Sequence, residues 1–179
     1  VVPGQLGPVA AGSWVVFRRK SAEDKFAAAF YTRTAEHARL PELFDACGIP
    51  DTLDGRFDAL ALHAALAIDR LRREPDGERL AQAFFDAMFR HLDITLRELG
   101  VQDLGVGRRI KIMAEGLHGR ALAYREALAG APTPLAEVLR RNAYGGRPPV
   151  DDAVVGRLEV HVRAYAEKLA DTPRNDLIK

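Results

Sequence analysis

The sequence predicts an all-α fold, a single-domain helical bundle of about six to seven helices without a sheet. Along most of the chain, apolar residues return every three to four positions, which is the spacing of one face of an α-helix. No run of β-branched residues alternates with polar ones, as a half-buried strand requires. Because 179 residues suit one hydrophobic core, we expect one domain.

Three regions are predicted along the chain. Residues 1–20 begin with a stretch rich in Gly and Pro and are expected to form a flexible leader. Residues 21–170 contain the helical pattern and form the domain. Residues 171–179 are predicted to be a polar tail that frays.

The first two helices are predicted from their ends. Ser21 and Asp24 have the spacing of a capping box, in which each side chain bonds the backbone amide of the other. This helix is expected to end near Ala38. A short helix over residues 40–46 follows, and Gly48 ends it because glycine readily adopts the left-handed conformation after a helix.

Two longer helices come next. Either Asp51 or Asp54 is expected to cap the third helix, whose apolar residues fall on one face about 120° wide. The fourth helix opens at Asp76 and ends at Gly100, and its apolar residues spread over roughly half of its circumference. So wide a face predicts burial between two layers, or between one layer and a partner.

The fifth helix is long and is expected to be capped by Asp103. Its apolar residues recur at steps of three and four from Val106 to Leu128. Gly116 and Gly119 lie beside this apolar seam, where the missing side chains are predicted to let a neighbouring helix approach closely.

A short helix around residues 135–139 and a last helix around residues 154–169 complete the predicted bundle. The predicted core draws on the third, fourth and fifth helices. It includes Phe57, Leu60, Ile68, Phe84, Met88, Leu92, Ile110, Met113, Leu117 and Tyr124.

Charge and cysteine usage limit the class of protein. The 26 Lys and Arg residues nearly cancel the 25 Asp and Glu residues, so the net charge of +1 gives no global reason to expect binding to DNA or to an anionic membrane. The single cysteine, Cys47, forms no internal disulfide, which favours a reducing, cytoplasmic setting. No stretch has the pattern of a secretory signal or of a membrane-spanning helix. A peripheral position at the inner face of the cell membrane stays open.

The sequence contains no pattern typical of a catalytic or metal site. Its five histidines form no pair at the spacing that places two metal ligands on one helical face. A metal site assembled from different helices stays open, but we expect scattered residues at the surface or the edge of the core. We therefore predict no enzyme activity, no metal and no cofactor. The histidines are His37, His63, His91, His118 and His161.

Three cations crowd the first turns of the fifth helix, where the helix dipole disfavours positive charge. They are Arg108, Arg109 and Lys111, with Gly105 and Gly107 beside them. One interpretation is a binding site for an anion, such as a phosphate of RNA or lipid or a carboxylate of a partner. The alternative is that nearby acidic residues neutralise the cluster.

Phe85 and Phe89 lie one turn apart at the edge of the wide apolar face of the fourth helix. They predict either a groove that binds an apolar helix of a client protein or ordinary core packing.

Several stretches of the chain, in order and at matching separations, are similar to the motifs of one known family. They are PDTLDGRF at 50–57 with LH at 62–63, AFFDAMFR at 83–90, LRELGV at 96–101 with DLGVGRRIK at 103–111, MAE at 113–115 with GR at 119–120, and NAYG at 142–145. The chain thereby resembles the ubiquinol-cytochrome c chaperone family from about residue 17 to residue 169. Its signature residues here are Asp51, Asp54, Gly55, Arg56 and His63. Leu117 and His118 stand where the family has an aromatic pair.

The resemblance implies a non-enzymatic chaperone for assembly of ubiquinol-cytochrome c reductase, which binds newly made cytochrome b near the ribosome. The partners it implies are apocytochrome b as the client and a contact with the ribosome or the membrane surface. The chain is rich in Ala and Arg, and in this it resembles bacterial members of the family. A small RNA-binding or ribosome-associated helical module is the alternative function, and the oligomeric state stays open.

Overall fold

The computed structural model describes residues 21–100, 103–145 and 150–179, apart from the side chains of residues 103–105 and 109. These residues form seven α-helices and one 3-10 turn, with no β-strand among them, so the predicted all-α fold is confirmed. The predicted leader lies outside the described residues. The elements are α1 (Ala22–His37), α2 (Pro41–Asp45), α3 (Leu53–Leu71), α4 (Gly77–Glu98), α5 (Asp103–Leu128), α6 (Leu135–Ala143), α7 (Asp152–Asp171) and the 3-10 turn η1 (Arg174–Asp176).

Helix α3 is the centre of the domain. It contacts α1, α4, α5, α6 and α7, and every residue from Asp58 to Ile68 is buried. The prediction of a single apolar face was therefore wrong. Five of these buried residues are alanines, and their small side chains let neighbouring helices approach α3 closely.

The caps of the first and third helices contrast with each other. The predicted capping box of α1 is confirmed, because the Asp24 amide donates to Ser21 Oγ at 3.1 Å and the Ser21 amide donates to Asp24 Oδ2 at 2.9 Å. Neither predicted aspartate caps α3. Thr52 does so, since its hydroxyl accepts from the Gly55 amide at 3.1 Å.

Two predictions about glycine in α5 were wrong, and a different glycine makes a close contact. Gly116 and Gly119 are exposed, and a Cβ added at either would meet no described atom within 4 Å. At Gly55 an added Cβ would lie 1.9 Å from the carbonyl oxygen of Pro50. The start of α3 therefore requires glycine at this position.

The residues after α7 pack against the domain rather than fraying. Leu177 is buried, and the Arg174 guanidinium donates to Asp76 Oδ1 at 2.9 Å. On α3, Arg70 donates to the carbonyl oxygens of Leu169 at 2.8 Å and Thr172 at 3.1 Å. These bonds satisfy acceptors at the end of α7 that have no partner within the helix.

Six of the ten predicted core residues are buried, and the other four are half-buried against the core. Helix α4 packs on α1, α3 and α5, which accounts for its wide apolar face. The half-buried residues are Phe57, Leu92, Ile110 and Met113.

Candidate functional site

An apolar groove of about 670 Å³ lies between the end of α1, the start of α3, the end of α4 and Met113 of α5. Two rows of side chains with the same spacing form its walls. Helix α3 contributes Leu53, Phe57 and Leu60, and α4 with its C-terminal cap contributes Leu92, Leu96 and Leu99. Three of the half-buried core residues, Phe57, Leu92 and Met113, therefore owe their exposure to this groove.

The edges of the groove expose large apolar side chains. Leu99 is 59% exposed and Leu53 is 42% exposed, whereas Leu60 and Leu96 are buried at the floor. Covering apolar surface is favourable by about 25 cal/mol per Å². The groove therefore favours an apolar ligand or partner, as clustered exposed leucines commonly do.

The rim of the groove carries polar groups. Tyr31 Oη lies 2.7 Å from His91 Nδ1, and burial raises the pKa of Tyr31 to about 12, so the phenol keeps its proton. Burial, and then the nearby charge of Arg39, lower the pKa of His91. The neutral His91 ring therefore accepts a hydrogen bond from the phenolic hydroxyl at Nδ1 and carries its own proton on Nε2.

Two arginines flank the groove, and they differ in their partners. Arg56 Nε donates to Asp51 Oδ1 at 2.6 Å, which lowers the pKa of that carboxyl through the hydrogen bond. Arg39 has no ion-pair partner among the residues that the structure describes. The rim is therefore positively charged at Arg39.

The signature residues 50–57 build this end of the groove. Gly55 allows the Pro50 carbonyl to pack against the first turn of α3, and the Arg56 guanidinium lies 5.9 Å from the centre of the Phe44 ring. Asp54 is exposed in the first turn of α3, where the helix dipole stabilises a negative charge. The motif thereby positions Arg56 and Phe57 at the groove.

A partly buried ion pair connects α3 with α5. Arg120 Nη1 donates to Asp58 Oδ1 at 2.5 Å, and the guanidinium lies 5.8 Å from the centre of the Phe57 ring. Burial raises the pKa of Asp58, and the charge of Arg120 opposes this effect. Sequence reasoning missed the pair, because 62 positions separate two common residue types.

Only part of the predicted cation cluster is described. Arg108 and Gly107 are exposed, and Lys111 Nζ lies 3.9 Å from Glu115 Oε1. The side chain of Arg109 and the surroundings of Gly105 fall outside the described residues. Exposed ion pairs contribute little to stability, so this contact does not distinguish an anion site from neutralisation by acidic neighbours. The anion site stays a prediction.

The two predicted client-binding phenylalanines lie away from the large groove. Their ring centres are 4.4 Å apart, and Phe89 is only 9% exposed. Phe85 is half-buried and lines a smaller groove of about 260 Å³ with Leu117 and His118. Core packing thus accounts for Phe89, and client binding at this pair stays a prediction.

Three histidines meet inside the domain, although the sequence predicted scattered ones. His37 of α1, His63 of α3 and His161 of α7 have ring centres 5.3 to 6.0 Å apart. His63 is fully buried, so its predicted place at the edge of the core was wrong. Within the described residues, no group of three or more His, Cys, Asp or Glu side chains is arranged to hold a metal ion.

Hydrogen bonds determine the protonation of the central histidine. His63 Nδ1 lies 2.8 Å from the Ala59 carbonyl oxygen, so it carries the proton and donates. Nε2 therefore accepts, and its partner at 3.1 Å is His161 Nε2. Burial lowers the pKa of His63 to about 3 and also lowers the pKa of His37 and His161. No local motif signals this cluster, because its members come from three helices.

The fold and the groove define a helical domain with an apolar groove at its surface. A family model described as "Ubiquinol-cytochrome C chaperone" matches residues 45–179, which is more than half of the chain. The chain therefore belongs to the ubiquinol-cytochrome c chaperone family, and the resemblance in its motifs is confirmed.

Two known proteins are similar to this chain. The crystal structure of the Cbp3 homolog from Brucella abortus matches with a TM-score of 0.72 and 33% identity, over 90% of each chain. Ubiquinol-cytochrome-c reductase complex assembly factor 1 of Xenopus laevis is 24% identical over 141 residues, which are 78% of this chain and 66% of that protein. The chain thus spans just under two thirds of the length of this relative. No described helix is long and apolar enough to cross a lipid bilayer.

Proposed function

We propose that this protein is an assembly chaperone for ubiquinol-cytochrome c reductase and that it binds newly made cytochrome b. The observation that carries the proposal is the family match over residues 45–179. The similar Xenopus laevis protein is named as an assembly factor of the same complex. Its role is binding, without enzyme activity or a cofactor.

The surface of the domain suits a client of this kind. A membrane protein exposes long apolar segments before it is inserted and assembled, and these need a partner that covers them. The groove offers leucines on both walls and a charged rim. We place the protein in the cytoplasm, in contact with the inner face of the membrane.

The test is recovery of cytochrome b from respiring cells that carry the tagged full-length chain. After crosslinking, we expect unassembled cytochrome b to be enriched over a membrane subunit of another respiratory complex. Loss of the gene should lower the content of cytochrome b. Repeated failure to recover cytochrome b, together with a normal content of it in the deletion strain, would contradict the proposal.

The second candidate is a ribosome-associated or RNA-binding module. The exposed side chains of Arg108 and Lys111 at the start of α5 favour it. Binding through phosphate contacts weakens steeply with salt. Replacing Arg108 by Glu should therefore abolish ribosome or RNA binding, and binding that is insensitive to salt and to this change would exclude the second candidate.

A further inference from the structure

We propose that the groove between α1, α3 and α4 docks an apolar helix of the client, with an acidic side chain of that helix placed against Arg39. The inference rests on the proposed function, because a membrane protein supplies apolar helices. It goes further in assigning the binding surface, the form of the bound segment and the charge that orients it.

The spacing of the wall residues matches a helix. Leu53, Phe57 and Leu60 are separated by four and three positions, and so are Leu92, Leu96 and Leu99. Two such rows form a groove that can receive the side-chain ridge of a third helix. Each row spans seven positions, or about 10 Å at 1.5 Å per residue, which is roughly two helical turns.

Small residues keep the groove open on the side of α1. Ala35 and Ala38 line it at positions where larger side chains would fill it. The floor is already buried, while Leu53 and Leu99 at the edges are 42% and 59% exposed. A docked helix with apolar residues at positions i, i+3 or i+4, and i+7 covers both edges at once.

The rim determines the orientation of the helix. Asp51 pairs with Arg56, while Arg39 has no ion-pair partner in the described part of the chain. Arg39 lies close enough to lower the pKa of His91 on the groove wall, so its charge reaches the groove. A carboxylate on the bound helix would pair with Arg39, whereas a cation there would be repelled.

The first test uses synthetic peptides and the purified full-length protein. The probe is a labelled apolar peptide of roughly 20 residues with one glutamate near its end, and a second peptide carries lysine instead. Fluorescence anisotropy should show that the glutamate peptide binds more tightly, by about fivefold or more. Arg39→Glu should reverse this order. Equal binding of the two peptides, before and after the change, would overturn the role of Arg39.

Substitutions at exposed sites test docking without removing a side chain from the core. Leu99→Glu and Leu53→Glu should each weaken binding of both peptides by roughly tenfold, because a charge replaces an apolar contact. Val160→Glu is the matched control, since Val160 of α7 is 69% exposed and lies outside the groove. Unchanged binding by the leucine variants would refute docking in the groove. Groove-dependent binding of phosphatidylglycerol vesicles without peptide binding would also overturn the proposal, in favour of a lipid site.

The same variants separate this inference from the proposed function. If the wild-type chain and Leu99→Glu recover cytochrome b equally, docking of the client in the groove is refuted while the chaperone function stands. If peptides bind the groove but cytochrome b is not recovered, helix docking stands and the proposed client is wrong. Loss of cytochrome b with Leu99→Glu, but not with Val160→Glu, supports both.

Discussion

Acidification from pH 7.5 to pH 5 is expected to destabilise the fold through His63. In the folded protein, burial lowers the pKa of His63 to about 3, while the unfolded chain returns it to 6.5. The unfolded state therefore binds one more proton between these values. The contribution of the neutral His63 to stability is fully present above the unfolded pKa and is lost as the pH falls toward the folded pKa.

The size of the effect follows from the two pKa values. At pH 5 the unfolded His63 is protonated and the folded one is neutral, which lowers the free energy of unfolding by about 2 kcal/mol relative to pH 7.5. His37 and His161 add a loss of the same sign, because their pKa values are also lowered. Burial raises the pKa of Asp58, and this contribution has the opposite sign.

The measurement is urea unfolding followed by circular dichroism at a series of pH values. The matched variants are His63→Gln and His118→Gln, since His118 is exposed at the surface. We expect His63→Gln to be less stable at pH 7.5 but to lose about 2 kcal/mol less on acidification than the wild type. His118→Gln should retain the wild-type slope. An identical pH dependence in His63→Gln and the wild type would refute the reasoning.

Three further predictions concern the start of α3 and its connection to α5. Gly55→Ala should cost about 2 kcal/mol or more, because the added Cβ would lie 1.9 Å from a carbonyl oxygen, whereas Gly116→Ala should gain up to about 1 kcal/mol in an open position; thermal unfolding checks both. Asp58→Ala should cost about 1 to 3 kcal/mol by leaving the partly buried Arg120 unpaired, and the double variant with Arg120→Met should recover part of this loss in urea unfolding. Thr52→Ala should cost about 1 kcal/mol as a lost N-cap, and no measurable loss would contradict its assignment as the cap.

The fold was largely predictable because helix periods and breakers are local signals. The capping box at Ser21 and Asp24 and the left-handed Gly48, with φ of 67°, both appear as expected. Predictions that concerned neighbours in space were less successful. Gly116 and Gly119 face open space, since spacing along one helix does not reveal which face the next helix covers.

The candidate site was only partly predictable. The motif at residues 50–57 pointed to the start of α3, and that segment does form one end of the groove. The sequence did not predict the exposure of Leu53 and Leu99, because an exposed leucine and a buried one are identical there. Phe85 and Phe89 lie at the edge of the wide apolar face of the fourth helix, which left client binding and core packing open, and the structure buries Phe89 in the core.

The sequence by itself determined the class of fold, the approximate helices and the family, because each depends on residues close together in the chain. Only the tertiary structure decided the groove, the Asp58 and Arg120 pair and the histidine cluster. Each joins side chains from different helices, and such contacts depend on how the helices pack, which no local pattern of residues encodes.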